Sequence, residues 1–226
     1  MADLPVVAVI ATHGEERLGL LLNRSLPSVS RQTRSVDLVC IVSDNDPLCE
    51  FLELEDVEKS FAVSYKNKVR LLQNERTRGN SGTGSWNTGI LEALSTFGEN
   101  CWVAILDDDD EWKDNHIEKC IGAIKEKADC QWIVSGIIRQ GKSGRTEEPL
   151  LRYQPAAEDF FATNPGVQGS NMFVRCSTVL RAGLFDEKLS SSTDRDLCVR
   201  SIIALLYILY NRWRFMTFYQ LKYYLF

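Results

Sequence analysis

Residues 101–112 read Cys101-Trp102-Val103-Ala104-Ile105-Leu106-Asp107-Asp108-Asp109-Asp110-Glu111-Trp112. A run of apolar residues that includes β-branched Val and Ile, unbroken by alternation, is what a strand needs when both faces of its sheet are covered, as in parallel sheets. Four consecutive carboxylates end that strand. The same unbroken apolar character marks residues 5–11, 36–42, 69–72 and 131–138, and residues 170–174 read as a further strand. Between them lie helical patterns. The clearest is residues 115–127, where Ile117, Cys120, Ile121 and Ile124 recur at the spacing of one buried helix face. Residues 15–26, ended by Pro27, and residues 85–96 are the other two. Strand alternating with helix implies right-handed crossovers and an α/β, doubly wound, mostly parallel sheet.

Ligands of such sheets bind outside the carboxyl ends of the strands. The polar residues that directly follow the strands are His13, then Asp44 and Asp46, then residues 76–84, then Asp107 to Glu111. All four segments are expected to converge at one edge.

The acidic run raises an electrostatic question. Two like charges about 5 Å apart repel by roughly 3 kcal/mol at an effective dielectric near 20, so the cluster calls for a counter-charge. A divalent cation answers it, and hard oxygen ligands suit Mg²⁺ or Mn²⁺, which bind one or two carboxylates plus substrate phosphates. The run by itself is equally readable as a solvated acidic turn that caps the next helix.

Four ordered segments carry a resemblance to family 2 glycosyltransferases, which have the GT-A fold. Ile105-Leu106-Asp107-Asp108-Asp109-Asp110-Glu111-Trp112 resembles that family's D-x-D region. The resemblance implies that Asp107 lies near the donor ribose and that Asp109 binds a metal bridging the two donor phosphates. Asp107 and Asp110 are further candidate metal ligands, because a run of four admits two registers. Val42-Ser43-Asp44-Asn45-Asp46 is similar to the family's acidic turn after the second strand, which implies donor contacts from Asp44 and Asp46. Arg78-Gly79-Asn80-Ser81-Gly82 through Trp86-Asn87-Thr88-Gly89-Ile90 resembles its loop against the nucleotide, with Trp86 at a position usually held by Arg. Asn80 and Asn87 are the implied donor-binding residues there.

On the acceptor side, Gln168-Gly169-Ser170-Asn171, Gly183-Leu184-Phe185-Asp186-Glu187 and Thr193-Asp194-Arg195-Asp196-Leu197 resemble the family's small-residue strand, G-x-F-D-E and E-D-x-D-L segments. The implied general base is Asp194, with Asp196 in reserve, and Thr193 stands where the family has Glu. The bland alternative is that Asp194 caps a helix starting near it. The expected activity is transfer of a sugar from a nucleoside-diphosphate donor to an acceptor hydroxyl with a divalent metal, inverting the anomeric centre. A non-catalytic nucleotide-sugar-binding protein is the alternative.

Composition sets outer bounds. With 226 residues, 44% of them hydrophobic, the chain can bury one sizeable core. One domain is expected over residues 1–200, followed by an apolar, aromatic tail over 201–226. A net charge of −5 with dispersed Lys and Arg offers no footprint for a nucleic acid backbone. Seven cysteines without a CxxC pair, several inside apolar runs, behave as small buried hydrophobes and favour a reducing compartment. With no signal-peptide pattern at residues 1–5, cytoplasmic residence is expected. The apolar run from Ile202 to Tyr210 is shorter than the roughly 20 residues that span a bilayer, so the tail is expected at most to touch a membrane surface.

Residues 136–143, Gly-Ile-Ile-Arg-Gln-Gly-Lys-Ser, match GxxxxGK[ST] literally. A phosphate loop must follow a strand and open into a helix. Ile137 and Ile138 read as the end of the strand itself, and Gly144 and Pro149 stand where the helix is required, so a P-loop NTPase is set aside.

Overall fold

The computed structural model describes residues 4–13, 15–44, 57, 59, 68–127, 129–138 and 157–212. Asp46, the match around Lys142, the polar stretch 139–149 and residues 213–226 lie outside the described residues.

Six strands form one sheet: β1 (Val6–Thr12), β2 (Leu38–Ser43), β3 (Val69–Gln73), β4 (Trp102–Asp107), β5 (Trp132–Val134) and β6 (Met172–Arg175). Their order is β3-β2-β1-β4-β6-β5. The pairs β1–β2, β2–β3 and β1–β4 are parallel, and β6 runs antiparallel to both β4 and β5. The α/β, doubly wound, mostly parallel expectation holds. Two strands differ from their sequence reading. β5 stops at Val134, because Ser135 pairs through its N–H with the Asn171 carbonyl at 2.9 Å where the edge strand ends. β6 begins at Met172, because Gly169–Asn171 forms a 3₁₀ turn.

The helices are α1 (Leu18–Leu20), α2 (Leu26–Ser30), α3 (Thr83–Phe97), α4 (His116–Glu126), α5 (Ala157–Ala162), α6 (Cys176–Arg181) and α7 (Thr193–Arg212). Pro27 does not end the first helical segment. Between α1 and α2 the chain makes a π turn over Leu21–Ser25, in which the Leu26 N–H reaches the Leu21 carbonyl. The segment then restarts with Pro27 in its first turn, where a missing N–H leaves no helical bond unmade. Helix α7 runs continuously across residue 200, and Ser201 and Ile202 are buried, so the start of the expected tail belongs to the domain. Among the described residues no helix is long and apolar enough to cross a membrane.

Alternate residues of β1 feed two cores. Val6, Ala8 and Ile10 pack with Leu21, Leu26, Val29, Ile117 and Ile121 on one face, and Val7 and Val9 with Trp86, Ile90, Ala93, Val179 and Leu197 on the other. Each such Val, Leu or Ile contributes about 1.5–3 kcal/mol when fully buried. This two-sided burial is the reason for the unbroken apolar pattern of the strands. Helix α3 lies unusually close to the sheet at Gly89, where a Cβ would stand 2.3 Å from Val9 Cγ1.

The register places the site. Ala11 on the central strand is level with Val42 of β2 and with Asp107 of β4. The neighbours of β1 on its two sides are reached by connections in opposite senses, so the crevice opens at the carboxyl ends of β1 and β4.

Candidate functional site

The acidic turn is built by its neighbours. The Asp107 N–H donates to Ser170 Oγ at 3.0 Å, and Trp112 Nε1–H donates to the Ser170 carbonyl at 3.0 Å, tying the turn to the 3₁₀ segment before β6. From the other side the π turn delivers Ser25, whose hydroxyl lies 3.1, 2.7 and 2.8 Å from the carbonyls of Asp107, Asp108 and Asp110. Ser28 Oγ accepts from the Trp112 N–H at 3.2 Å. The turn is therefore held by backbone contacts, and helix α4 begins only at His116 with no side-chain cap. The reading of the run as a helix cap does not apply.

The four carboxylates have separate environments. Asp108 is buried and accepts from Arg17 Nη1 at 2.7 Å and from the His13 N–H at 3.4 Å. Asp109 is half-exposed and shares the same Arg17 Nη1 at 2.9 Å. The Arg17 pKa is raised, chiefly by its bond to Asp108. Asp107 is pushed up to about 7, first by burial and then by the charges of Asp110, Asp194 and Asp109, with the Ser170 contact opposing. The charges of these neighbours thus disfavour ionisation of Asp107, while Arg17 bonds Asp108 and Asp109.

That list also locates the acceptor-side candidates. Asp194, in the first turn of α7, acts on Asp107 across 87 positions of sequence (194 minus 107). Its own carboxyl is pushed up to about 6 by burial, and its Oδ1 is enclosed without a hydrogen-bond partner. Asp196 is turned elsewhere, as two residues along a helix are about 200° apart. It binds Arg200 Nε and Nη2 at 2.8 and 2.6 Å, while Arg200 Nη1 donates to the carbonyls of Ala182 and Leu184. Of the pair, Asp194 is near enough for its charge to act on Asp107, and Asp196 braces the loop before α7 through Arg200.

Asp44 and Asn87 are deeply engaged by the protein. The Asp44 carboxylate accepts from Asn74 Nδ2 at 2.5 Å, Ser85 Oγ at 2.9 Å and the Gly79 N–H at 2.8 Å. It shapes residues 76–84, and the four strand-end segments do converge. Asn87 donates to the Phe185 carbonyl and Glu187 Oε1 at 3.0 and 2.7 Å and accepts from the Phe185 N–H at 2.9 Å. Glu187 also accepts from Arg76 Nε at 2.5 Å and the Thr77 N–H at 3.2 Å. Burial would raise its pKa, but these donors, Asn87 first, hold it at about 2. Asn80 opens the 3₁₀ turn Asn80–Gly82; its backbone alone is described. Trp86 fills the floor beside Phe185, with ring centroids 5.0 Å apart. A Cβ on Gly169 would stand 2.8 Å from Trp86 and 3.3 Å from Asp107 Oδ1, so only glycine lets the 3₁₀ turn approach here.

Arg17, Ser25 and Ser170 escaped the sequence reading. Ser25 and Arg17 sit in a helical pattern with no local sign of their partners, which lie more than 80 residues away.

The model of the family described as glycosyl transferase family 2 matches residues 7–186, and the chain belongs to that family. Uncharacterized glycosyltransferase R139 of Acanthamoeba polyphaga mimivirus is 31% identical over 137 residues, covering 57% of this chain and 54% of the relative. S. aureus TarS 1–349 in complex with UDP superposes with a TM-score of 0.64 at 14% identity, over 89% of this chain and 56% of TarS 1–349. Its complex with UDP-GlcNAc gives the same TM-score and identity, over 89% and 54%. The fold is that of these GT-A proteins, and the chain spans about half the length of the relatives it matches.

Proposed function

We propose that the chain transfers a sugar from a nucleoside-diphosphate donor to an acceptor hydroxyl, with inversion, and that Asp109, with Asp107 or Asp110, holds a Mn²⁺ or Mg²⁺ ion. The observation that carries this reading is the enclosed, unpartnered Oδ1 of Asp194, a carboxylate whose charge acts on Asp107.

The residues fit a divalent ion of the oxygen-preferring kind. Burial, and after it the charges of Asp110, Asp194 and Asp109, raise Asp107 to about 7, and the donor set of Asp107, Asp109 and Asp110 is all carboxylate. Among the described residues no three His, Cys, Asp or Glu side chains are gathered closely enough to hold a metal by themselves. That suits an ion completed by substrate phosphates rather than caged by protein. When bound, the ion would neutralise charge on the departing diphosphate.

The chain's own residues account for the remaining work. Asp194 is placed to accept the acceptor hydroxyl proton, and a pKa of about 6 keeps it ionised at neutral pH yet basic enough to take that proton. Asp44 fixes residues 76–84, against which the donor nucleotide would lie, through its three donors. Asn87 and Glu187 anchor the acceptor-side segment to the same loop. The UDP and UDP-GlcNAc bound by TarS make uridine nucleotides the first donors to try.

Calorimetric titration of UDP with Mn²⁺ or with EDTA tests the donor side. Parent protein is expected to bind UDP only with the metal, and Asp109→Asn to lose at least tenfold in affinity. Equal affinity in EDTA refutes the metal assignment.

A further inference from the structure

Arg17 is the cation that the acidic turn already contains. Its Nη1 stands 2.7 Å from Asp108 Oδ1 and 2.9 Å from Asp109 Oδ2. The two contacts are unlike. The Asp108 side chain is 4% exposed and its other donor is a long N–H bond from His13, whereas the Asp109 side chain is 43% exposed. Leaving Asp108 strands a buried charge, which is costly; leaving Asp109 exposes a carboxylate to water, which costs little. The single nitrogen Nη1 therefore makes one contact that is costly to break, to Asp108, and one that is easily released, to Asp109.

We propose that Arg17 is an internal counter-ion that competes with the divalent cation for Asp109 and is handed to the donor diphosphate when cation and donor bind. The inference rests on the metal-dependent reading above. A divalent ion on Asp109 and a guanidinium on the same carboxylate repel, so the ion alone must displace Arg17 and binds weakly. The donor changes this balance. Its phosphate oxygens offer the freed guanidinium a fork-shaped match, while Asp108 keeps the Arg17 side chain beside the turn. Cation and donor thus bind cooperatively, each supplying what the other displaces.

The test compares parent and Arg17→Gln proteins by calorimetry with Mn²⁺ alone and with UDP in saturating Mn²⁺. The variant is expected to bind Mn²⁺ alone about tenfold more tightly, and UDP at saturating Mn²⁺ about tenfold more weakly. Arg17→Gln with Asp108→Asn, which removes the buried charge together with its partner, provides a fold-preserving second variant and is expected to shift both affinities in the same directions. Mn²⁺ affinity unchanged or weakened in both variants overturns the competition, and unchanged UDP affinity overturns the hand-over. If the parent binds neither Mn²⁺ nor UDP, the functional reading itself fails and this inference with it.

Discussion

Replacing Asp107 with Asn should stabilise the metal-free protein at neutral and alkaline pH. The carboxyl of Asp107 is pushed up to about 7 in the folded chain against an ordinary value of 3.8, by partial burial and by the charges of Asp110, Asp194 and Asp109. Between those values the folded protein holds a proton that the unfolded chain has released, so rising pH favours unfolding across this window. At about 1.4 kcal/mol per pH unit, the loss grows from under about 1 kcal/mol near pH 4 to about 4 kcal/mol above pH 7. Asn carries no charge and escapes it. Thermal melting of parent and variant in EDTA, from pH 4 to pH 8, should show nearly equal Tm at the acid end. At the alkaline end the variant should melt about 10 °C higher, at roughly 2–4 °C per kcal/mol for a chain of this size. Saturating Mn²⁺ should raise the parent's Tm at pH 8 by more than it raises that of Asp107→Asn, because Asp107 adds to the charge that the ion relieves beside Asp109. A Tm difference that does not vary with pH would refute the reasoning, since it would mean that Asp107 is not held up by its neighbours.

Asp194→Asn should abolish sugar transfer with UDP affinity within a few-fold of the parent, whereas Asp196→Asn should retain transfer chemistry and lose stability through the Arg200 brace. Single-turnover transfer, calorimetry and melting on the same preparations separate the two, and parental transfer by Asp194→Asn would remove it as the base. Glu187→Gln should be less stable than the parent near pH 6 and converge with it as pH falls through about 2. The sign follows from a depressed carboxylate, whose stabilisation is present above its ordinary 4.5 and lost on protonation in the folded state; pH-dependent urea midpoints check it. Gly89→Ala should cost about 1–3 kcal/mol, because its Cβ would meet Val9 Cγ1 at 2.3 Å. Adding Val9→Ala should return part of that loss in a double-mutant cycle read by denaturant melting.

The strands, the placement of the acidic turn and the convergence of four loops were legible in the sequence, because each depends on local patterning. An unbroken apolar run such as residues 101–106 reports that both faces of a strand are covered, and the polar residue that ends it is carried to the sheet edge. Burial therefore writes itself into sequence at short range. Which groups meet at that edge is a matter of long-range register, and no local pattern encodes it. Only the tertiary structure shows that a π turn carries the helix past Pro27 and delivers Ser25 to three carbonyls of the acidic turn. Only there does Arg17 emerge as the partner of Asp108 and Asp109, and Asn87 as the anchor of Phe185 and Glu187. The different surroundings of Asp194 and Asp196 were likewise not legible from two carboxylates in one motif. They follow from helix geometry, since two residues along α7 point to opposite sides, Asp194 acting by its charge on Asp107 and Asp196 bound to Arg200.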